Sequence, residues 1–180
     1  MSILCPSNFA ELREMLYVAL YQIHGPVTVR YPRGAEGEFR ELTSDEAVCL
    51  RQGKDITLVG YGLLINEFLR AAELLAQVGI SAEVIKLNLI CSDDFAMVID
   101  SLRRTACVLI AEEVCAVGCV GRRILARASQ AGVCLRASRA VNLEDGIVVH
   151  GDRDRLLCDY HLDAQSLAET AEQLVRQCGV

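Results

Sequence analysis

The stretch "HGPVTVRYPRG", His24 to Gly34, ends in two arginines that bracket a tyrosine–proline pair. A guanidinium is a planar fork of N–H donors that matches phosphate oxygens in pairs, each charge-assisted bond being worth about 1.5–3 kcal/mol. Alternation along the strand expected over "VTVRY" turns Arg30 to the face opposite Val29 and Tyr31. That places it at a carboxyl strand end, where open α/β sheets bind ligands. Pro32 stiffens the exit from the strand and helps to hold Arg30. From these residues alone two readings stay open: an anion-binding arginine, or Arg30 and Arg33 as surface charges at a turn.

Other groupings carry less. Glu112 and Glu113 are adjacent at a strand end, with Gly118 and Gly121 at the helix start that follows. Paired carboxylates do acid–base work and helix starts hold anions. Adjacent residues on an extended chain point to opposite faces, however, so solvated or capping acids are the expectation. Gly60-Tyr61-Gly62 closes an apolar strand as a dinucleotide fingerprint would, yet the sixth position is the bulky Ile65 and no acid ends the next strand, "VIKLN". A tight strand-to-helix turn is the simpler reading. His24, His150 and His161 stand apart, each beside a turn, and "HGDRDR" (His150 to Arg155) reads as a solvated loop. No complete catalytic constellation is present: the expectation is no catalytic, cofactor-binding or metal-ligating residue on this chain.

The nine cysteines (Cys5, Cys49, Cys91, Cys107, Cys115, Cys119, Cys134, Cys158 and Cys178) are odd in number and form no C-x-x-C. Cys115 and Cys119 share the spacing of one helix face, but no second ligand pair accompanies them at a zinc spacing. They read as ordinary reduced thiols. "MSILCPSNFAELREM" lacks a basic segment and a long apolar run, no stretch approaches a membrane span, and the expected location is cytoplasmic.

The elements that must position Arg30 follow from periodicity. After Pro6 and the capping candidate Ser7, Leu12, Leu16, Leu20 and Ile23, with Met15 and Ala19, form a helical stripe. Gly25-Pro26 stops that helix and the Arg30 strand follows. Residues 35–46 carry turn formers and charges without period, a linker between a helix–strand piece over 1–34 and a domain over 47–180. In that domain "AVCLR" and "ITLVGYG" read as strands, and a helix runs from Leu63 to Gly79. Next come the strand "SAEVIKLNLI", a helix over "SDDFAMVIDSLRRT" with acids in its first turn, the strand "ACVLIAEE", and a helix over "GCVGRRILARASQAG". The strand "VCLRAS", an irregular segment and a last helix capped by Asp163 complete it. Such alternation predicts an α/β fold, a three-layer α/β/α sandwich about a mostly parallel sheet of about five strands. One helix and one strand cannot bury their own stripe, so residues 1–34 must dock on something.

Composition excludes some classes. The chain is 52% apolar with mean hydropathy +0.29, which describes a core-forming protein. Net charge is −6, the pI is near 5.1, and Trp is absent. A general nucleic-acid surface needs a basic field or stacking aromatics, so nucleic acid is not expected as a partner; nor is a membrane, since no apolar stretch is long enough to span one.

"PSNFAELREMLYVALYQIHGPVTVRYPRG" resembles the end of the pyrimidine-binding domain of the 1-deoxy-D-xylulose-5-phosphate synthases, thiamine-diphosphate enzymes of the transketolase family. "GKDITLVGYG", "AAELLAQVGISAEVIKLNLI", "VLIAEE", "VGCVG" and "VVHG" are similar to landmarks of that family's Rossmann-like carboxyl-terminal domain. Two positions depart from the family pattern: Cys91-Ser92 where Lys-Pro is usual, and Cys119 where a second glycine follows Gly118. The resemblance implies an enzyme that joins pyruvate to glyceraldehyde 3-phosphate with loss of carbon dioxide, in isoprenoid precursor synthesis, as a homodimer. It implies thiamine diphosphate and Mg2+ in the complete enzyme, none bound to this chain. It matches Arg30 to the arginine that reaches the substrate phosphate, while Tyr31, Pro32 and Arg33 shape the turn. The family's Gly-Asp-Gly motif, its following Asn and its activating Glu do not occur here. The chain is therefore expected to be the carboxyl-terminal part of such a transferase, inactive alone, with the remainder of the enzyme as its partner. Two other readings remain: a subunit of a split transketolase-like or 2-oxo acid dehydrogenase-like complex, or a non-catalytic α/β regulatory module.

Overall fold

The apolar runs that read as strands assemble into one sheet. In the computed structural model, which describes residues 1–32, 34–92 and 95–179, the elements begin β1 (Ser2–Leu4), α1 (Phe9–Tyr21), β2 (Val27–Val29), β3 (Ala47–Arg51) and β4 (Ile56–Tyr61). They continue with α2 (Ile65–Gln77), β5 (Ala82–Leu87), α3 (Ala96–Thr105), β6 (Cys107–Ala111) and α4 (Val120–Gln130). β7 (Ala137–Val141), α5 (Arg153–Asp159) and α6 (Ala164–Gln177) complete the order. The sheet order is β3-β5-β4-β6-β7, antiparallel only between β3 and β5.

Every residue of β4, β5 and β6 is buried, as strands covered on both faces must be, and the polar Thr57, Glu83 and Lys86 are buried with the rest. Alternation divides them between two cores. Ile56, Leu58, Val84 and Leu109 face α2 and α6 through Phe68, Leu75, Leu167 and Val175. Val59, Ile85, Val108 and Ile110 face α3 and α4 through Val98, Leu102, Ile124 and Ala128. The expected three-layer α/β/α sandwich and its mostly parallel five-stranded sheet are present.

The amino-terminal segment docks on the sandwich through a strand that the sequence did not reveal. β1 pairs in parallel with β2, and its other edge meets the segment after β5: Cys5 N–H donates to Asn88 O at 2.8 Å, and Ile90 N–H to Ile3 O at 3.1 Å. Only three residues long, β1 offers no readable period. Below it lies a buried polar knot. Lys86 Nζ stands 3.0 Å from Glu11 Oε1, and both side chains are fully buried. Thr43 bonds to Glu11, Lys86 and Asn88, and Glu11 Oε2 accepts the Ser7 N–H at 2.8 Å. Desolvation holds the Lys86 ammonium below the usual lysine range, and Glu11 opposes that shift.

Residues 35–46 form no regular element but are fastened at several points. Glu36 accepts the Phe9 N–H at the start of α1 (2.9 Å), where the helix dipole favours an acid. Phe39 is buried in the α2 core, with its N–H on Asn66 Oδ1 at 2.8 Å. Asn8 Nδ2 donates to Glu41 O at 2.8 Å.

Several expectations are corrected. The N-cap of α1 is Asn8, which accepts the Glu11 N–H at 2.9 Å, and not Ser7. The α1 stripe, expected to need something to dock on, is covered only in part: Met15 is buried, while Leu16 is 41% and Leu20 73% exposed, with Phe9, Tyr17 and Tyr21 beside them at 57, 53 and 72%. The last strand starts at Ala137 and not at Val133, because Val133 and Leu135 pack onto the α3–α4 core as the chain crosses to the sheet edge. "HGDRDR" is a loop only in its first half. Asp152 caps α5 by accepting the Asp154 N–H at 3.0 Å, so Arg153 begins a helix. The first turn of α3 holds no acid; Asp93 and Asp94, like Arg33 and Val180, lie outside the described residues. Cys115 precedes α4 and is exposed while Cys119 is buried, so the two do not share a helix face.

Removing one member of a buried ion pair strands the other, at about 3–5 kcal/mol. Urea unfolding of Lys86→Met and Glu11→Gln is expected to show losses of this order, with α1 amides losing exchange protection before those of β4. The double variant Lys86→Met/Glu11→Leu is expected to lose much less than the sum. Additive losses would show that the pair does not hold the segment.

Candidate functional site

Arg30 follows β2 directly, and its N–H extends the ladder by donating to Leu4 O at 2.8 Å. The parallel register of β1 and β2 therefore fixes where its side chain leaves the backbone. That side chain is half-buried and crosses to the sandwich. Its Nη2 donates to the Glu113 main-chain oxygen at 2.9 Å, and its Cζ stands 5.5 Å from the centroid of the Tyr61 ring. Both partners sit at carboxyl strand ends, Tyr61 closing β4 and Glu113 just beyond β6. Gly62 turns the chain away at φ +63°, and a Cβ there would lie 3.9 Å from Arg30 Nη1. The Gly-Tyr-Gly sequence thus serves as a strand-to-helix turn beside a guanidinium.

The acidic pair divides as alternation requires. Glu112 is buried; its Oε2 accepts the Tyr61 hydroxyl and the Val120 N–H, each at 2.9 Å, and its Oε1 accepts the Gly121 N–H at 2.6 Å. It neutralises the start of α4 and occupies the place an anion would take there. Burial and the Glu112 carboxylate together push the Tyr61 phenol above its ordinary range. Glu113 faces outward and accepts Arg153 Nη2 at 3.0 Å. Arg30 and Arg153 therefore bracket Glu113, one on its carbonyl and one on its carboxylate. Tyr61 and Arg153 were not among the residues expected here; only a tyrosine in a Gly-x-Gly turn hinted at the first.

Beside Arg30, residues Tyr31 and Pro32 line a cavity of about 280 Å³ with Pro6, Ser7, Phe9 and Leu63. Through Gly34–Glu36 it adjoins a charged groove that reaches Arg70 and Arg153. The histidines His24, His150 and His161 are exposed and separate. Among the described residues no group of three or more His, Cys, Asp or Glu side chains is arranged to hold a metal ion. Those described residues therefore offer no donor set for a Mg2+-diphosphate centre. Among the described residues, no helix is long and apolar enough to cross a membrane.

The model of the "Transketolase, C-terminal domain" family matches residues 45–167. The chain belongs to that family. Beyond the transketolase C-terminal domain, the likeness extends over the amino-terminal segment. The chain is 30% identical over 99% of its length to 1-deoxy-D-xylulose-5-phosphate synthase 1 of Geobacter sulfurreducens, and covers 29% of that protein. It is 33% identical over 93% of its length to the synthase of Thermomicrobium roseum, covering 28% of it. It therefore corresponds to under a third of the curated relatives it matches. A split-gene transketolase solved as an inactive beta4 tetramer superposes with a TM-score of 0.86 at 24% identity, over 98% of this chain and 58% of that one. A transketolase of Pichia stipitis gives 0.73 at 17% identity, over 97% of this chain and 25% of that one. The expected fold is the observed one.

Cys5, fully buried beside Arg30, provides a check on this packing. Burial pushes its thiol from 9.0 up to about 11, against the pull of the Arg30 and Lys86 charges. Between those values the unfolded chain releases a proton that the folded chain keeps, so stability falls as pH rises through that window. Two pKa units correspond to about 2.7 kcal/mol. Lys86 acts in the opposite sense, so the comparison must be a difference. Under reducing conditions Cys5→Val is expected to lose less stability than the parent between pH 9 and 11. Parallel curves would contradict the burial of Cys5 under Arg30.

Proposed function

We propose that this chain is the carboxyl-terminal part of a thiamine-diphosphate-dependent 1-deoxy-D-xylulose-5-phosphate synthase. The reaction joins pyruvate and glyceraldehyde 3-phosphate with loss of carbon dioxide and feeds isoprenoid precursor synthesis in the cytoplasm. The observation that carries this reading is the fixed guanidinium of Arg30 at the carboxyl ends of β4 and β6. Its bond to Glu113 uses one of five N–H donors, and the group is presented by a strand, a face of a ring and a carbonyl instead of by a free loop. Such preorganisation suits a phosphate grip remote from the reacting carbon. Binding energy spent there fixes the aldehyde for attack, so it supports turnover as well as affinity.

Thiamine diphosphate and Mg2+ supply the carbanion-stabilising chemistry in the complete enzyme; in this reading the remainder of the enzyme holds them. In this reading residues 1–34 are the last helix and strands of the pyrimidine-binding domain, 35–46 the strap, and 47–180 the transketolase C-terminal domain. The chain alone is inactive and works as scaffold, homodimer contact and source of Arg30. The open face of α1, with Phe9, Leu16, Tyr17, Leu20 and Tyr21 exposed, supports a partner: the rest of the enzyme. The likeness to a split-gene transketolase favours a second arrangement of the same function, in which that partner is a separate polypeptide. A free-standing regulatory module fits poorly, since it would not leave a five-residue apolar face bare.

The test is turnover of the enzyme assembled from this chain and an amino-terminal part equivalent to the region of the synthases that it does not match. Arg30→Ala is expected to raise KM for glyceraldehyde 3-phosphate about 10- to 100-fold and to lower kcat, with KM for pyruvate nearly unchanged. Arg30→Lys, which keeps charge but loses the fork, is expected to fall between. Unchanged kinetics with the phosphorylated aldehyde would overturn the assignment, and turnover by the chain alone would overturn its role as a part.

A further inference from the structure

The Arg30 guanidinium lies against a ring whose orientation is itself fixed. Tyr61 is 4% exposed, and its hydroxyl, 2.9 Å from Glu112 Oε2, stops the ring from sliding along its long axis. Glu112 is 1% exposed and cannot follow Arg30, because its two oxygens also hold the Val120 and Gly121 N–H groups of α4. The line Arg30–Tyr61–Glu112–α4 thus runs from the amino-terminal segment to the first turn of a helix on the sandwich. The carbonyl that takes Arg30 Nη2 belongs to Glu113, the residue beside Glu112.

Filling the core would not require this arrangement. Phenylalanine or leucine would occupy the same space without a buried hydroxyl, which costs stability unless partnered. What the phenol–carboxylate pair adds is direction: it sets the angle of the ring face, and a cation over that face is attracted by the ring quadrupole. An arginine side chain with several rotatable bonds is thereby confined to one pose.

We propose that Tyr61, anchored by Glu112, is a positioning residue that holds Arg30 in the orientation in which it meets phosphate. The transketolase C-terminal domain then does more than support the enzyme: it supplies the platform for a substrate-binding group carried by the other segment. This rests on the reading of Arg30 as a phosphate ligand, and its test is read on the guanidinium itself so that the two stand or fall separately.

The experiment is side-chain nitrogen NMR on the 180-residue chain under reducing conditions, following the Arg30 Nε–H signal and rotation about its Cζ–Nη bonds. Slow rotation is expected in the parent; Tyr61→Phe, which keeps the ring but loses its bond to Glu112, is expected to loosen Arg30 slightly. In Tyr61→Leu rotation is expected to speed up roughly five-fold or more, the equilibrium equivalent of a partly buried cation–π contact. Tyr61→Met, a flexible filler of the same space, carries the same expectation if the leucine variant does not fold. Glu112→Gln is expected to loosen Arg30 less. Equal order of Arg30 in Tyr61→Leu or Tyr61→Met, with backbone amide spectra unchanged, would overturn the proposal. Inorganic phosphate added to the parent is expected to shift the Arg30 Nε–H signal, and to shift it less in Tyr61→Leu. An ordered Arg30 that phosphate does not disturb, but that Tyr61→Leu releases, would overturn the phosphate reading and leave the positioning role standing.

Discussion

The buried contact between Glu11 and Lys86 is the constraint on which the placement of everything else depends. A carboxylate and an ammonium taken wholly out of water are tolerable only together, and only with their remaining hydrogen-bond capacity met. Glu11 belongs to the first turn of α1 and Lys86 to a central strand of the sandwich. Thr43, from the strap, and Asn88, just past β5, complete the set. Three stretches of chain far apart in sequence are thus held in one register, since a slip of a single residue in any of them would leave a buried charge alone. The pair fixes α1, α1 fixes the β1–β2 ladder, and the ladder fixes the backbone from which Arg30 departs.

That departure point explains the division of labour between the two segments. The amino-terminal segment carries the guanidinium, and the sandwich carries what holds it. The carboxyl ends of β4 and β6 offer a ring face and a carbonyl, and the acid just after β6, which also caps α4, keeps the ring in place. Neither piece makes this arrangement by itself. The same segment shows what the chain does not complete: one side of α1 is tied to the sandwich, while the other presents aromatic and leucine side chains to solvent. A soluble domain rarely leaves such a face bare unless another surface covers it.

The sandwich was legible because its signals are redundant. In β6, "CVLIA" is apolar throughout, and α2, α4 and α6 each repeat their apolar residues at helical spacing, so period, length and alternation agree. The misreadings occur where one residue had to decide. β1 is too short to show a period, and Ser7 and Asn8 are equally good caps side by side. Asp152 lies in a charged run that looks like loop until its carboxylate meets the Asp154 N–H. Arg30 stood out through its neighbours Pro32 and Arg33, but its platform did not. Tyr61 and Glu113 are far from it in sequence, and nothing in a single chain pairs them. The capping role of Glu112 was within reach, because alternation forces one acid of an adjacent pair inward and a helix start lies a few residues on.

The chain holds one side of its amino-terminal segment on the sandwich and leaves the other open, and under the proposed function that open side meets the rest of a synthase. Hydrogen–deuterium exchange of the chain, alone and mixed with the amino-terminal part of a synthase that it does not match, tests this most directly. The expected result is new protection confined to α1 and β2 on mixing, with β4–β6 already protected and unchanged. Protection absent from α1, or appearing on the α3–α4 face instead, would contradict it.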